Sequence, residues 1–194
     1  METGKPELNF TERLFDLQQG EIVAPVYTFP RQELRFIDFC NANGIVSYVP
    51  LKKEYKVQRQ RHGLKEYHYP REVMRPMFPN YAFARLNQEQ RSRIFRSNAV
   101  VRILPVYEPD LPRLLDEIRT VHQIEMIALD EPMEFNAEVR EGEHFVIESG
   151  PWSGICGWLK KKNKAFLWTV EIECIGGLVQ ATIDPSIYKM SRAD

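Results

Sequence analysis

From residue 20 onward the chain alternates short apolar runs with longer amphipathic stretches, and the two periods separate strands from helices. "GEIVAPVYT" (20–28) predicts a strand. In the helical pattern that follows, Leu34, Phe36, Ile37 and Cys40 fall on one side, with Pro30 in the first turn and Asn43-Gly44 as the stop. "IVSYVPL" (45–51) predicts a second strand. Two extended arms then flank His62-Gly63, a pattern for a hairpin that protrudes rather than packs. "YAFARL" (81–86) alternates as a strand, and Asn87 with Gln90 has the capping-box spacing for a helix carrying Ile94 and Phe95 that ends near Ser97-Asn98. "VVRILPV" (100–106) is another strand. Asp110-Leu111-Pro112 opens the clearest helix, with Leu111, Leu114, Leu115, Ile118 and Val121 on one stripe. The predicted order, β-α-β-hairpin-β-α-β-α, makes a sandwich with helices on one or both sides of a sheet.

After that helix the texture changes. "EMIALDEPMEFNAE" (125–138) is acidic and lacks a sustained period, so it predicts a linker. From residue 139 only short strand patterns follow, "EHFVIES", "GICGWL", "AFLWTVEIEC" and "LVQATI", which predict a small five-stranded β-barrel. Gly142, Gly150, Gly154 and Gly157 supply its turn and bulge positions, and Trp152, Trp158 and Trp168 its core or rim. The expected division is 1–20 as an N-terminal extension, in which Phe10, Leu14 and Leu17 line a short helix, then 21–124, 125–138 and 139–194.

Composition agrees with a folded chain: 43% of the 194 residues are hydrophobic, 27% charged and 11% aromatic, too apolar for a solvated linker protein. The net charge of −1 hides an uneven distribution. Residues 52–75 carry eight Lys/Arg against three Glu, whereas 125–148 carry eight Asp/Glu against Arg140 alone. The N-terminus has charges where a signal peptide needs an apolar region, and no run approaches a membrane span, so a soluble cytoplasmic protein without membrane contact is expected. Cys40, Cys156 and Cys174 are widely spaced without a CxxC pair and read as small buried hydrophobes. The histidines (62, 68, 122 and 144) lack HExxH spacing, no Gly-x-Ser-x-Gly elbow occurs, and no Gly-Lys-Ser/Thr completes a phosphate loop. No enzyme, cofactor or metal is expected.

Two stretches hold the candidate chemistry. In "MRPMFPNYAFARL" (74–86) Phe78 and Tyr81 would face opposite ways in a regular strand, but Pro79 cannot donate to a ladder and Asn80 tolerates the left-handed region, so a kink brings both to one side. By composition alone both rings are core. In the second stretch Arg59, Arg61, His62 and Lys65 cluster about the hairpin tip, with Lys52, Lys53, Lys56, Arg71 and Arg75 toward its base. Such cations take up phosphates, and the interleaved Tyr55, Tyr67 and Tyr69 offer stacking faces; a solvated charged hairpin has the same composition.

"MFPNYAFARL", followed at helix spacing by "IFRSNAVVRILPV", resembles the N-terminal domain of the NusG family of transcription elongation factors, and "VREGEHFVIESGPWSGICGWL" resembles its KOW motif. Asn80, where the general factors carry Gly, and the ending "LVQATIDPSIYKM" are similar to the specialised RfaH-like and UpxY-like antiterminators. The resemblance implies an α+β fold: a NusG-type (NGN) α/β sandwich with an antiparallel sheet flanked by helices, then a small SH3-like KOW β-barrel. It implies that Phe78 and Tyr81, with Tyr27 and Pro79 beside them, receive the clamp helices of RNA polymerase. The basic arm is then expected on non-template or upstream DNA, and the KOW domain on a small-subunit ribosomal protein or Rho. The implied activity is suppression of pausing and termination, restricted to particular operons. RfaH-type proteins can refold the KOW domain as helices, but the glycines and "AFLWTVEIEC" predict a stable barrel. The competing expectation is a KOW-bearing RNA-binding or ribosome-associated protein, in which "LKKKNKAF" (159–166) does the binding.

Overall fold

A computed structural model describes residues 11–62, 65–128, 134–135, 143–162, 165–172, 177–183 and 187–193. The first unit is a four-stranded sheet in the order β2-β5-β1-β6, formed by β1 (Ile22–Thr28), β2 (Ser47–Tyr48), β5 (Tyr81–Leu86) and β6 (Val100–Ile103). Every pairing in it is antiparallel. Between β2 and β5 the chain runs out and back as a separate ribbon, β3 (Leu51–His62) on β4 (Lys65–Pro76).

Both faces of the four-stranded sheet are covered, which explains why β1 and β5 are buried nearly throughout, while the edge strand β6 exposes Val101 and Arg102. Side-chain alternation sorts the residues. Val26, Ala82, Ala84, Leu86 and Val100 point to one face and meet Phe36, Ile37 and Cys40 of α1 (Glu33–Ala42) and Ile94. Val23, Tyr48 and Phe83 point to the other and meet Leu114, Ile118, Val121 and Ile124 of α3 (Leu111–Ala128). Between β5 and β6, α2 (Gln88–Arg93) begins with the expected capping box: the Asn87 side chain accepts from the Gln90 N–H at 2.9 Å, and the Gln90 side chain accepts from the Asn87 N–H at 3.0 Å. A 3-10 turn (Ile94–Ser97) continues it and stops at Asn98, whose φ of 54° is left-handed.

Several sequence expectations need correction here. Pro30 precedes α1 rather than opening it, because Arg31 at φ 64° turns the chain before Glu33. Leu34 and Phe95 are exposed, one position off their helices' buried stripes. The acidic stretch from 125 is not all tether: α3 runs on to Ala128, and Glu134–Phe135 forms β7, whose two residues pair with Gln180 and Val179. Cys40 is buried and its thiol is pushed up to about 11 by that burial, but Cys156 is exposed; Cys174 lies outside the described residues.

Among the described residues the second unit is a six-stranded antiparallel sheet where five strands were expected. Its order is β12-β8-β9-β10-β11-β7, with β8 (Glu143–Ile147), β9 (Cys156–Lys162), β10 (Ala165–Ile172), β11 (Gly177–Ile183) and β12 (Met190–Arg192). The two strands missed, β7 and β12, are two and three residues long, too short to show alternation. Trp152 and Trp168 are fully buried, and Trp158 stacks on His144 with ring centroids 4.7 Å apart. A Cβ at Gly157 would lie 2.5 Å from the Thr169 carbonyl and 3.0 Å from the Trp168 ring, so this position closes the contact between β9 and β10 only as glycine.

Candidate functional site

The segment between ribbon and sheet is a tight turn. Pro79 takes its second position and Asn80, at φ 69°, its third, while the Tyr81 N–H donates to the Phe78 carbonyl at 3.2 Å; this is the signature of a type II turn. Three tertiary bonds fix it. The Met77 N–H donates to the Pro50 carbonyl at 2.7 Å, and the Thr28 N–H to the Asn80 carbonyl at 2.8 Å. The Asn80 N–H donates at 2.7 Å to the carboxylate of Glu33, which the first turn of α1 buries. Sequence reasoning overlooked Glu33 because an acid in a first helical turn is ordinary dipole compensation.

The turn does not hold both aromatics out for a partner. Phe78 is fully buried and joins the apolar cluster that α3 closes over the sheet. Tyr81 remains half-buried and meets Tyr27 across the β1–β5 rung, edge to face with centroids 5.3 Å apart. The Arg102 guanidinium lies 5.6 Å from the centre of the Tyr27 ring, and Pro79 is exposed. Farther along the same face as Tyr27, Pro25 lines a cleft of about 240 Å³ with Pro105, Val106, Tyr107 and Leu114 and the charged Asp110, Arg113 and Glu117. Of the predicted patch, Tyr27, Tyr81 and Pro79 are therefore accessible, with Arg102 beside them, and Phe78 belongs to the core.

α3 connects three parts of the molecule. Its Glu125 is fully buried and accepts from the Tyr48 hydroxyl at 2.8 Å and from the Leu51 N–H at 2.7 Å, which fastens the root of the ribbon; His122 Nδ1 stands 3.0 Å from the same carboxylate. Burial, followed by the neighbouring Glu125 charge, holds the Tyr48 hydroxyl well above the ordinary tyrosine range. One residue position was enough to miss this: Glu125 continues the stripe of Ile118 and Val121 but reads as the first acid of a tether. Gln123 donates to the carbonyls of Ser153 at 2.9 Å and Pro151 at 3.3 Å, so the loop between β8 and β9 rests on α3. That loop turns through Gly150 (φ 78°) and Gly154 (φ 86°), two of the predicted glycine positions; Gly142 lies outside the described residues.

The ribbon sets the basic residues in register. Lys52 pairs with Arg75, Lys56 with Arg71 and Arg59 with His68; the side chains of Arg61, His62 and Lys65, like the turn between the arms, lie outside the described set. Toward the root Glu54 forms ion pairs with Lys52 at 3.2 Å and Arg75 at 3.4 Å, and Glu72 with Lys53 at 3.7 Å. Lys56, Arg59 and Arg71 are exposed and have no carboxylate partner among the described residues. Also among the described residues, no group of His, Cys, Asp and Glu is placed to hold a metal, and no helix is long and apolar enough to cross a membrane.

An α/β sandwich with both sheet faces covered, a projecting basic ribbon and an appended antiparallel sheet defines the class of molecule. The family model of the transcription termination factor NusG matches residues 25–122, just over half of the chain. The chain belongs to the NusG family. No curated protein matches its sequence. Among solved structures, a chain from the crystal structure of the MjSpt4:Spt5 complex in conformation B is similar at 12% identity, over 89% of this chain and 100% of that one, with a TM-score of 0.28.

Proposed function

We propose that this NusG-family protein is a transcription elongation factor of the specialised, operon-restricted type that suppresses pausing and termination. Its N-terminal sandwich holds the clamp helices of RNA polymerase against Tyr27, Tyr81 and Pro79, with the neighbouring cleft taking an apolar side chain from the helix tip. The β3–β4 ribbon lies on non-template or upstream DNA. The second sheet is a KOW-type domain that recruits a small-subunit ribosomal protein or Rho, with Gly150, Gly154 and Gly157 shaping its loop and strand contacts. The observation that carries this reading is the family match over 25–122, which contains the whole Tyr27–Tyr81 corner. The half-buried aromatic pair beside Arg102 supports it, because an aromatic pair next to a cleft lined by both apolar and charged side chains suits an amphipathic helix tip.

The test is co-purification of RNA polymerase core with the full chain and with the Tyr27→Ala plus Tyr81→Ala variant, both checked for cooperative unfolding. Phe78 is left intact, since its burial would confuse loss of binding with loss of folding. Polymerase retained by the wild type and reduced at least tenfold by the variant is expected. Ribosomes captured without polymerase would transfer the protein to the ribosome-associated reading.

A further inference from the structure

The ribbon has two unlike faces, and among the described residues only one sets two cations without a carboxylate partner directly across from each other. Because side chains alternate, Lys52, Glu54, Lys56 and Gln58 share one face with Arg75, Val73, Arg71 and Tyr69, while Lys53, Tyr55, Val57 and Arg59 share the other with Met74, Glu72, Pro70 and His68. On the second face Glu72 closes a small network, accepting from the Tyr55 hydroxyl at 3.2 Å and pairing with Lys53, and the next rung is the apolar Val57–Pro70 pair. On the first face, beyond the Glu54 ion pairs, Lys56 stands directly across the ladder from Arg71.

Like charges directly opposite destabilise a strand pair, and here neither cation has a carboxylate partner among the described residues. Local rules are broken where a ligand restores the balance. An anion between the two side chains converts their repulsion into two charge-assisted hydrogen bonds, one of them able to be bidentate through the Arg71 fork. One rung outward on the same face, about 6.6 Å away, the half-exposed Tyr69 ring lies opposite Gln58. A cation pair flanked at that distance by an aromatic face and an amide complements the repeating unit of a single-stranded nucleic acid: the phosphate at the cations, a base on the ring.

We propose that the Lys56/Arg71 face of the ribbon, and not the Tyr55/Val57 face, is a single-strand polynucleotide track, with Lys56 and Arg71 holding one phosphate and Tyr69 stacking the adjacent base. This rests on the reading that the ribbon contacts nucleic acid, and adds which face does so, through which atoms and to which form. DNA and RNA share the chemistry, so the experiment carries both.

The test is fluorescence anisotropy of the full chain with labelled single-stranded DNA, single-stranded RNA and duplex DNA over a range of salt concentrations. Lys56→Gln plus Arg71→Gln is expected to weaken single-strand binding at least tenfold and to lower the slope of log affinity against log salt by about one, as one phosphate contact is lost. Tyr69→Ala is expected to weaken it about fivefold or more with the salt slope unchanged, since stacking releases no counterions. Val57→Ser, on the other face, is expected to leave affinity unchanged. Equal losses from both faces, or preference for duplex over both single strands, would overturn the assignment of face and form while leaving ribbon contact with nucleic acid intact. A wild type that binds none of the three probes would overturn both.

Discussion

Pro76 ends the ribbon and Met77 begins the aromatic corner, so two candidate interfaces adjoin in the chain, yet they are built in opposite ways. At the corner the backbone is bonded to other elements, at Pro50, Thr28 and Glu33, and the Phe78 side chain lies in the core. Along the ribbon the arms pair with each other, and past the root the described side chains are exposed. The difference teaches where specificity can change cheaply. A corner residue sits on backbone bonded into the fold, whereas a ribbon residue can be exchanged with little consequence for the sheet beneath.

The largest test of that contrast is Phe78→Ala. Removing a fully buried aromatic from the cluster under α3 is expected to cost about 3–5 kcal/mol. Denaturant unfolding measures it as a lowered midpoint, and an unchanged midpoint would mean that Phe78 belongs with the ribbon as an expendable surface group.

Glu125→Ala should come next. It strands two buried donors, the Tyr48 hydroxyl and the Leu51 N–H, at about 1–3 kcal/mol each. The same bond gives the molecule an alkaline weakness. Tyr48 ionises in the folded chain well above its ordinary value of 10.0, so the unfolded chain loses this proton first as pH rises. The stability that depends on the protonated hydroxyl is therefore complete below about pH 10 and drains away as pH rises beyond it. Thermal scans from about pH 9 to about pH 11 should show a steeper loss for the wild type than for Tyr48→Phe, and parallel curves would refute the link.

These particular residues also show what the sequence could carry. The β1, β5 and α3 patterns are strong because each has a buried face or stripe several residues long, and the Asn87–Gln90 box is a local signal that needs no tertiary partner. The left-handed Asn80 is local as well, and its turn follows from Pro79-Asn80 chemistry. What stayed hidden depends on the third dimension. Glu33 and Glu125 are acids in helices until the Asn80 and Leu51 amides arrive from elsewhere in the chain, and Phe78 is an exposed anchor or a core residue according to where α3 lies. For the ribbon the charges were legible but their pairing was not, since Lys56 opposite Arg71 follows only from the register about the turn.

The smallest expected effect is the one that sharpens the comparison most. Val57 is 67% exposed and faces Pro70, which has no N–H to give the ladder, so this rung contributes neither burial nor a full set of backbone bonds. Val57→Ser should therefore change global stability by no more than about 0.5 kcal/mol. The same missing bond predicts that the ribbon opens locally: amides of Gln58 and Arg59, just outside the rung, should exchange with solvent far faster than those of Val26 and Phe83 in the covered sheet. Native-state hydrogen exchange decides it. Protection at Gln58 equal to that at Phe83 would show that the ribbon folds as one cooperative unit with the corner, and that substitutions along it are not isolated from the sandwich. Slow exchange appearing at Gln58 only when a single-stranded oligonucleotide is added would tie the ordering of the ribbon to the ligand proposed for the Lys56 and Arg71 pair.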